Sequence, residues 1–300
     1  MGTANRCRNH GMTVDQAVTH ITSALTRAPD PKNEVLSAVT KAFTDGGQVS
    51  AGRVNIIPQP GAPRQPWRLT DQERVTRMKD KADPVLIATL AARLGGLHDL
   101  WESSAPMLDS NARHTEETID LMFPGNPLLC AGWAKNKFDT RPREEWRGHL
   151  TGTSFIVPSP AIQPRGARLS DGAPSAHCKE QFPARRFLVI EFDDQRPKDE
   201  QAARLLHLAA FAPMVLVVDS AGKSLHGWFF VQDAPPGAIL KFFLHALTLG
   251  ADPRTWGASQ FIRTPDGTRD GGLRQTILHQ NLPLPLPPCH TQPLTPTLAP

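Results

Sequence analysis

The sequence predicts an α+β protein, with helices in its N-terminal part and a mixed core of strands and helices further along. Before about residue 95, apolar residues recur at helical spacing. After about residue 128, short apolar runs bounded by turn residues alternate with helical patterns. The chain has 300 residues, 39% hydrophobic and 21% charged, so it can bury a core.

Changes in composition divide the chain into segments. Residues 1–48 are predicted to form a small helical module, with a capping box at Thr13 ahead of a helical apolar pattern. Residues 49–68 hold four prolines among glycines and polar residues, which is typical of a linker. Residues 69–281 are predicted to form the main domain. Residues 282–300 carry seven prolines and are predicted to be a disordered or polyproline-like tail.

The main domain is predicted to open with two helices. Thr70 and Glu73 form a capping box for the first, and the second starts at Asp83-Pro84 and runs to about Gly95. Further segments follow in order: strands at 128–132 and 154–157 with a basic stretch at 135–147 between them, then a long loop rich in Pro, Gly and Ser at 158–184.

The clearest pattern lies between residues 187 and 263, where strand and helix patterns follow one another in the order βαββαβ. Its segments are 187–193, 198–210, 214–219, 225–231, 237–249 and 259–263, with a last strand at 273–278. This order is the ferredoxin-like or RRM-like arrangement, over about residues 185–281. Right-handed crossovers then predict the sheet order 4-1-3-2, with the first and third strands neighbouring, antiparallel and central.

Composition excludes several classes of function. The sequence has no tyrosine, which excludes a tyrosine nucleophile such as rolling-circle nucleases use, and their paired-histidine motif is not found. The longest uncharged apolar run, 211–218, is too short to span a bilayer, and no secretory signal pattern opens the chain. The four cysteines are far apart, which argues against a zinc knuckle and favours the cytoplasm. A net charge of +4 permits a phosphate-rich partner.

Polar residues are predicted to converge at one edge of the sheet. Glu191 and Asp193 share a face at the end of the first strand, because side chains alternate along a strand. The antiparallel third strand begins beside them and carries Ser224 and His226. Asp252 comes shortly before the fourth strand, which starts at the same edge. The pattern therefore predicts three carboxylates and a histidine on an open face.

Three carboxylates in this arrangement are suited to a pair of hard divalent cations, Mg²⁺ or Mn²⁺. The histidine is placed to donate hydrogen bonds to a triphosphate, and Lys223 and Arg263 would add positive charge. An acidic pair alone is usually a solvated strand end, so the prediction depends on the convergence. The Gly222-Lys223-Ser224 segment is not a P-loop, because its leading glycine would fall on Val217.

Four segments resemble the motifs of a known family. They are Leu-Val-Ile-Glu-Phe-Asp at 188–193, Gly-Lys-Ser-Leu-His at 222–226, Gly-Ala-Asp at 250–252 and Gln-Phe-Ile-Arg at 260–263. Together they resemble the archaeo-eukaryotic primase superfamily, in particular primase-polymerase proteins of bacterial mobile elements and phages. The resemblance covers roughly residues 125–281. It implies a primase-like catalytic core, preceded here by the small helical module.

The resemblance also implies an activity: template-directed nucleotidyl transfer, as a DNA primase or DNA polymerase, by a two-metal mechanism on a single-stranded DNA template. Ribonucleoside or deoxyribonucleoside triphosphates would be the substrates, and a separate chain would provide the helicase. Glu191, Asp193 and Asp252 would bind Mg²⁺ or Mn²⁺, and Glu191 stands where Asp is commoner. The implied catalytic set is Glu191, Asp193, Asp252 and His226, and the implied nucleotide contacts are Lys223, Ser224, His226 and Arg263.

Two questions stay open at this point. The basic stretch either binds template phosphates, with tryptophans stacking on bases, or is a solvated loop. Its candidate residues are Lys135, Lys137, Arg141 and Arg143, flanked by Trp133 and Trp146. The alternative function is a non-catalytic replication-initiator or single-strand-DNA-binding protein on the same fold. Loss of an acidic ligand would be its expected mark, and all three carboxylates are present.

Overall fold

The computed structural model describes residues 12–23, 36, 39–40, 69–105, 111–168, 170–282 and 286–289. The chain divides into two compact units, Met1–Pro66 and Trp67–Pro300. The predicted linker at 49–68 lies outside the described residues, as does most of the predicted helical module at 1–48.

In the first unit, helix α1 (Val14–Ser23) begins at the predicted capping box. The N–H of Thr13 donates to the Gln16 side chain at 2.9 Å, and the N–H of Gln16 donates to the Thr13 hydroxyl at 3.3 Å. Ala17 and Val39 are buried in one small apolar cluster.

The second unit is a mixed α+β structure with antiparallel sheets, which confirms the predicted class. The helices described in it are α2 (Asp71–Arg77), α3 (Pro84–Arg93), α4 (Leu97–Glu102), α5 (Thr115–Met122), α6 (Lys198–Ala209) and α7 (Pro236–Thr248). The strands described in it are β1 (Leu128–Ala134), β2 (Lys137–Pro142), β3 (Phe155–Ile156), β4 (Gly166–Ala167), β5 (Pro174–Ser175), β6 (Phe187–Glu191), β7 (Met214–Asp219), β8 (Leu225–Phe230), β9 (Ile262–Arg263) and β10 (Ile277–Gln280). None of the helices in the described ranges has the length and apolarity needed to cross a membrane.

Local sequence signals explain where the first helices of this unit begin. Thr70 and Glu73 form the predicted capping box of α2, and Asp83 caps α3 by accepting two backbone N–H groups at 3.0 Å. Pro84 occupies the first turn of α3, where its missing N–H costs nothing. Helices α4 and α5, with 6 and 8 residues, were not predicted, because so short a segment shows little periodicity.

The second unit contains two four-stranded sheets, numbered by the position of their strands in the chain. Strands β10, β7, β8 and β6, in that order, form the second sheet, and all neighbouring pairs are antiparallel. The predicted pairing of the first and third strands is confirmed, since β6 lies beside β8. The predicted order 4-1-3-2 is wrong, because the expected fourth strand is not in this sheet. Its two-residue remnant, β9, pairs with β3 elsewhere, and β6 is an edge strand instead of a central one.

Two residues after α7 explain why the chain does not add a fourth strand beside β6. Gly250 has a φ of 86°, which turns the backbone, and Asp252 then caps a single 3-10 turn at Pro253–Trp256. The N–H of Asp252 donates to the carbonyl of Glu191 at 2.8 Å, so the chain touches the end of β6 without forming a ladder with it.

The first sheet has the order β2-β1-β3-β9 and lies against one face of the second sheet. Strand β2 lies within the predicted basic stretch, and a β4–β5 hairpin lies within the predicted long loop. Phe187, Val189 and Trp228 are buried between the sheets, together with Ile119 of α5. The face expected to be open is therefore covered, except where β6 ends at Glu191.

Helices α6 and α7 cover the opposite face of the second sheet. Leu188 and Ile190 of β6 are buried there, as their alternation predicted, in one cluster with apolar residues of α2, α3 and α4. The second unit thus has three layers: helices, the second sheet, and the first sheet with α5.

Part of the predicted tail packs on this core. Leu286 is 6% exposed in the cluster between the sheets, and the Arg186 guanidinium donates to the carbonyl of Pro287 at 3.0 Å. Residues 286–289 of the predicted disordered or polyproline-like tail therefore contact the core, because an apolar side chain among the prolines finds a buried place. The remaining tail residues after 282 lie outside the described residues.

Candidate active site

Glu191, Ser224 and His226, three of the polar residues predicted to converge, lie at one end of the second sheet. Glu191 is the last residue of β6, and the antiparallel register places it directly opposite His226, the second residue of β8. Ser224 immediately precedes β8 at the end of the β7–β8 turn. A tight hairpin next to an antiparallel neighbour therefore brings these three side chains together, as the pairing of the first and third strands predicted.

Glu191 is held by both β8 residues. The Ser224 hydroxyl donates to Oε1 of Glu191 at 2.9 Å, and Nε2 of His226 lies 3.5 Å from the same oxygen. The N–H of Arg263 faces Nδ1 of His226 at 3.5 Å, so Nδ1 is the acceptor and Nε2 carries the ring proton. His226 is buried, yet its Nε2 makes no hydrogen bond within the described residues. The Nε2–H group of His226 thus faces Glu191 without forming a hydrogen bond to it.

The protonation state of Glu191 is set by opposing effects. Burial raises its pKa, but the adjoining His226 ring, the hydrogen bond from Ser224 and the charge of Arg254 outweigh burial and lower the pKa to about 2. The side chain is therefore a carboxylate at neutral pH, and it can act as an oxygen ligand.

The other two carboxylates share one arginine. Asp252 accepts the backbone N–H of Arg254 at 2.9 Å and two guanidinium contacts, from Nε at 2.8 Å and from Nη2 at 2.6 Å. The same Nη2 lies 3.6 Å from Oδ2 of Asp193. Hydrogen bonding to Asp252, and the charge of Asp252, raise the pKa of Arg254. The Asp193 and Asp252 side chains are thus brought together around one cationic group.

The implied divalent cation needs several oxygen donors close together. Within the described ranges, no three His, Cys, Asp or Glu side chains are grouped closely enough to hold an ion. The chemistry fits nevertheless, because Glu191, Asp193 and Asp252 offer the oxygen ligands that Mg²⁺ and Mn²⁺ prefer. The guanidinium between two of them is itself a cation in that position, and Oε2 of Glu191 accepts no hydrogen bond within the described residues.

Positive charge lies on the β8 side of the carboxylates. The Arg263 guanidinium packs over the ring of Phe155 at 4.6 Å and is half-buried. Burial and the charge of Arg269 lower the pKa of Arg263, and the charge of Glu191 opposes them. Two arginines are therefore close enough to influence each other beside Glu191, which is the arrangement a polyphosphate would stabilise.

Arg269 was missed by the sequence analysis. Its Nη1 donates to the carbonyls of Ser220 and Ala221 at 3.3 and 3.2 Å, so it holds the β7–β8 turn from which Ser224 projects. The only sequence signal is a basic residue in the turn after β9. Lys223, predicted to bind nucleotide, lies on the same turn with an exposed side chain that makes no hydrogen bond or ion pair within the described residues.

A cavity of about 900 Å³ opens on the opposite side of the carboxylates. Asp193, Asp252 and Arg254 line it, together with residues of α2 and α3, whereas Ser224 and His226 do not. The sequence did not predict this cavity, because helices α2 and α3 lie far before β6 in the chain.

Arg185 and Arg186, which precede β6, have different surroundings. Arg186 is buried, and its guanidinium donates to the carbonyls of Met122 at 2.6 Å and Pro287 at 3.0 Å, so it ties core elements together. The Arg185 guanidinium stacks over the Trp256 ring at 4.4 Å and donates to the Trp256 carbonyl, and burial lowers its pKa to about 10. Arg185 therefore supports the 3-10 turn that carries Asp252.

The predicted template contacts are only partly exposed. Arg143 is 1% exposed, and its guanidinium binds Glu116 at 2.7 Å and Asp120 at 2.9 Å of α5. Trp146 is also buried, with its ring N–H donating to the carbonyl of Leu129 at 2.9 Å. The predictions that Arg143 binds template and that Trp146 stacks on bases are therefore wrong, because both side chains complete the core beneath the first sheet.

The remaining basic residues of this stretch lie at the surface. Lys135 and Lys137 are exposed, and Nζ of Lys137 lies 5.5 Å from the ring centre of Trp133. Arg141 is half-buried, pairs with Asp139 at 2.7 Å and lies over the Trp146 ring at 4.8 Å.

No protein-family model, curated protein or solved structure matches this chain. A functional assignment therefore depends on the placement of the side chains described above.

Proposed function

We propose that this protein is a template-directed nucleotidyltransferase that synthesises or extends primers on single-stranded DNA. The observation that carries the proposal is the meeting of Glu191 with Ser224 and His226 across β6 and β8, with the backbone of Asp252 bonded to the carbonyl of Glu191. Carboxylates and phosphate-binding donors then lie side by side, as phosphoryl transfer requires.

In the proposed reaction, a 3′-hydroxyl oxygen attacks the α-phosphorus of a nucleoside triphosphate. The new P–O bond extends the strand by one nucleotide, the hydroxyl proton is released to solvent, the bond between the α-phosphorus and the β-phosphate oxygen breaks, and pyrophosphate leaves. Glu191, Asp193 and Asp252 would hold Mg²⁺ or Mn²⁺, which stabilises charge on the attacking and leaving oxygens when bound.

The chain's own donors have distinct roles in this proposal. The Nε2–H of His226 and the Ser224 hydroxyl lie at Oε1 of Glu191, where they can orient a phosphate oxygen beside the carboxylate. Arg263 adds a guanidinium on the same side, and Lys223 is free to reach a terminal phosphate from the turn. Either ribonucleoside or deoxyribonucleoside triphosphates are compatible with these contacts.

The test is a synthesis assay on single-stranded DNA, with and without an annealed primer, using each nucleotide set in Mg²⁺ and in Mn²⁺. We expect labelled nucleotide to be incorporated by the parent protein. Asp252→Asn should lower the rate at least about a hundredfold, equivalent to about 2.7 kcal/mol of barrier. Absence of incorporation under every condition would contradict the proposal.

A second candidate is a replication-initiator or single-strand-DNA-binding protein without turnover. The observation that favours it is the ion pairing of Arg254 with Asp252 and Asp193, which satisfies two of the carboxylates without a metal. It predicts DNA binding without incorporation, and binding that does not change on adding Mn²⁺. A helicase would be a separate partner in either case.

A further inference from the structure

We infer that Arg254 is a resident counter-ion of the candidate metal site, which a divalent cation must displace in order to bind Asp193 and Asp252. The inference rests on the proposed function, because it assigns a regulatory role at the same site. It goes beyond that function in predicting that this chain carries its own competitor for the metal.

The contacts of Arg254 place a positive charge between two carboxylates. Its Nη2 is 2.6 Å from Asp252 and 3.6 Å from Asp193, and its Nε is 2.8 Å from Asp252. These are the side-chain contacts that the described residues offer Arg254. A metal ion coordinated by both aspartates would need the oxygens that the guanidinium now contacts, so the two cations compete for the same ligands.

The Arg254 side chain can move away from Asp193 and Asp252 without a change in the positions of these two carboxylates. Its side chain is 73% exposed, whereas Asp252 is 10% exposed. Its backbone lies in a 3-10 turn held by buried Thr255, whose hydroxyl donates to the carbonyl of Asp252 at 2.9 Å, and by buried Trp256. Rotation of one long side chain therefore frees the carboxylates, and the adjoining cavity, which Arg254 lines, gives the guanidinium room.

Electrostatics explains why such a residue is useful. Glu191, Asp193 and Asp252 would repel one another in a site with no cation, and the guanidinium of Arg254 lies in contact with two of them. The guanidinium thus keeps the ligands together until the metal arrives, at the expense of metal affinity.

A second observation points independently to a ligand at this place. Nε2 of His226 is buried and makes no hydrogen bond within the described residues, although it faces Glu191. A buried donor without a full partner is costly in a resting protein. It indicates a site completed by a bound group instead of one completed by Arg254 alone.

The chain offers a matched control in Arg196. Its guanidinium lines the same cavity but pairs with Asp194 at 3.5 Å and Glu200 at 3.0 Å, not with the candidate ligands. Arg254→Gln and Arg196→Gln remove the same charge from the same region. A difference in Mn²⁺ affinity between the two variants therefore reports direct competition for the ligands and not the loss of one positive charge from the region.

The experiment is a titration of the full-length protein with Mn²⁺ alone, without nucleotide or DNA, in which free Mn²⁺ is measured by its electron paramagnetic resonance signal. We expect Arg254→Gln to bind Mn²⁺ about tenfold more tightly than the parent, as expected for loss of one charge-assisted hydrogen bond to a ligand. Arg196→Gln should change the affinity by less than about threefold. Thermal unfolding of each variant checks that it is folded.

Asp252→Asn separates the two ways of failing. If it abolishes Mn²⁺ binding while Arg254→Gln binds no more tightly than Arg196→Gln, the metal site stands and the role of Arg254 is wrong. If Asp252→Asn binds Mn²⁺ as the parent does, the carboxylates are not the ligands and the proposed function loses its support. Absence of Mn²⁺ binding in all variants, Arg254→Gln included, would overturn both.

Discussion

Adjacent aspartates after β6 have opposite surroundings. Asp193 is 50% exposed, and its charged contact is Arg254 at 3.6 Å. Asp194 instead binds the Arg204 guanidinium at 2.6 and 3.2 Å, and Arg204 is completely buried. Beyond the end of β6 at Glu191, one aspartate therefore faces the candidate site and the other holds a buried guanidinium of α6.

This contrast gives a prediction with a built-in control. Asp193→Asn should lower nucleotide incorporation at least about a hundredfold and leave stability unchanged, because it removes an exposed ligand. Asp194→Asn should lower the free energy of unfolding by about 2–4 kcal/mol, because it leaves the Arg204 charge buried with a weaker partner. Primer extension and urea denaturation measure the two effects. Equal destabilisation by both substitutions would contradict the assignment.

At the scale of elements, the β1–β2 hairpin carries the remaining candidate template contacts. Lys135 and Lys137 are exposed, and Arg141 is half-buried, whereas Arg143 is a core residue. A protein that copies any sequence binds mainly phosphates, so its affinity for single-stranded DNA should depend on salt far more than on base composition.

Replacing Lys135, Lys137 and Arg141 with Ala should flatten the dependence of log affinity on log salt, by about 0.7 for each phosphate that the hairpin no longer neutralises. The control removes three exposed charges of the helical layer: Arg77, Arg93 and Lys241. Binding isotherms at several salt concentrations measure the slope. The same slope in the hairpin variant and the parent would return this stretch to the solvated-loop interpretation.

The segment 286–289 is a second element with a testable contribution. Leu286→Ala should lower the free energy of unfolding by about 2 kcal/mol, because Leu286 is buried between the sheets. Leu273→Ala, at a position that is 53% exposed, should change it by less than about 0.5 kcal/mol. Urea denaturation compares the two. A negligible effect of Leu286→Ala would show that the tail does not pack on the core in solution.

At the scale of the whole molecule, partly or fully buried histidines link stability to pH. Burial lowers the pKa of His177, His207, His245 and His279 below the ordinary value of 6.5. His207 and His245 also contact each other, with their Nε2 atoms 3.0 Å apart between α6 and α7. The unfolded chain therefore binds more protons than the folded protein just below neutral pH.

It follows that the free energy of unfolding should fall as the pH is lowered from about 7.5 to 5.5. The sign follows from the lowered pKa values, since the neutral imidazoles are stabilised above 6.5 and that contribution is lost as pH falls. Replacing His207 and His245 together with Asn should flatten this dependence. Urea denaturation across the pH range measures it, and an identical pH profile in the double variant would exclude the pair as a source.

Much of the local structure follows from short stretches of sequence. The capping boxes at Thr13 and Thr70 and the cap at Asp83 mark helix starts because one side chain satisfies nearby backbone N–H groups. The β7–β8 hairpin, which places Ser224 and His226 at one end of the sheet, follows from two apolar runs separated by a short turn. Such features depend on residues a few positions apart or on one hairpin.

The tertiary structure alone decided the partners of residues that are distant in sequence. β9 pairs with β3 and not with β6, because the 3-10 turn capped by Asp252 carries the chain to the other sheet. Arg143 is buried because α5, unpredicted, presents Glu116 to it. Arg254 lies between the carboxylates because Asp193, which follows β6, is close to the 3-10 turn that carries Arg254. Propensity and periodicity describe one segment at a time, whereas these contacts depend on how segments pack.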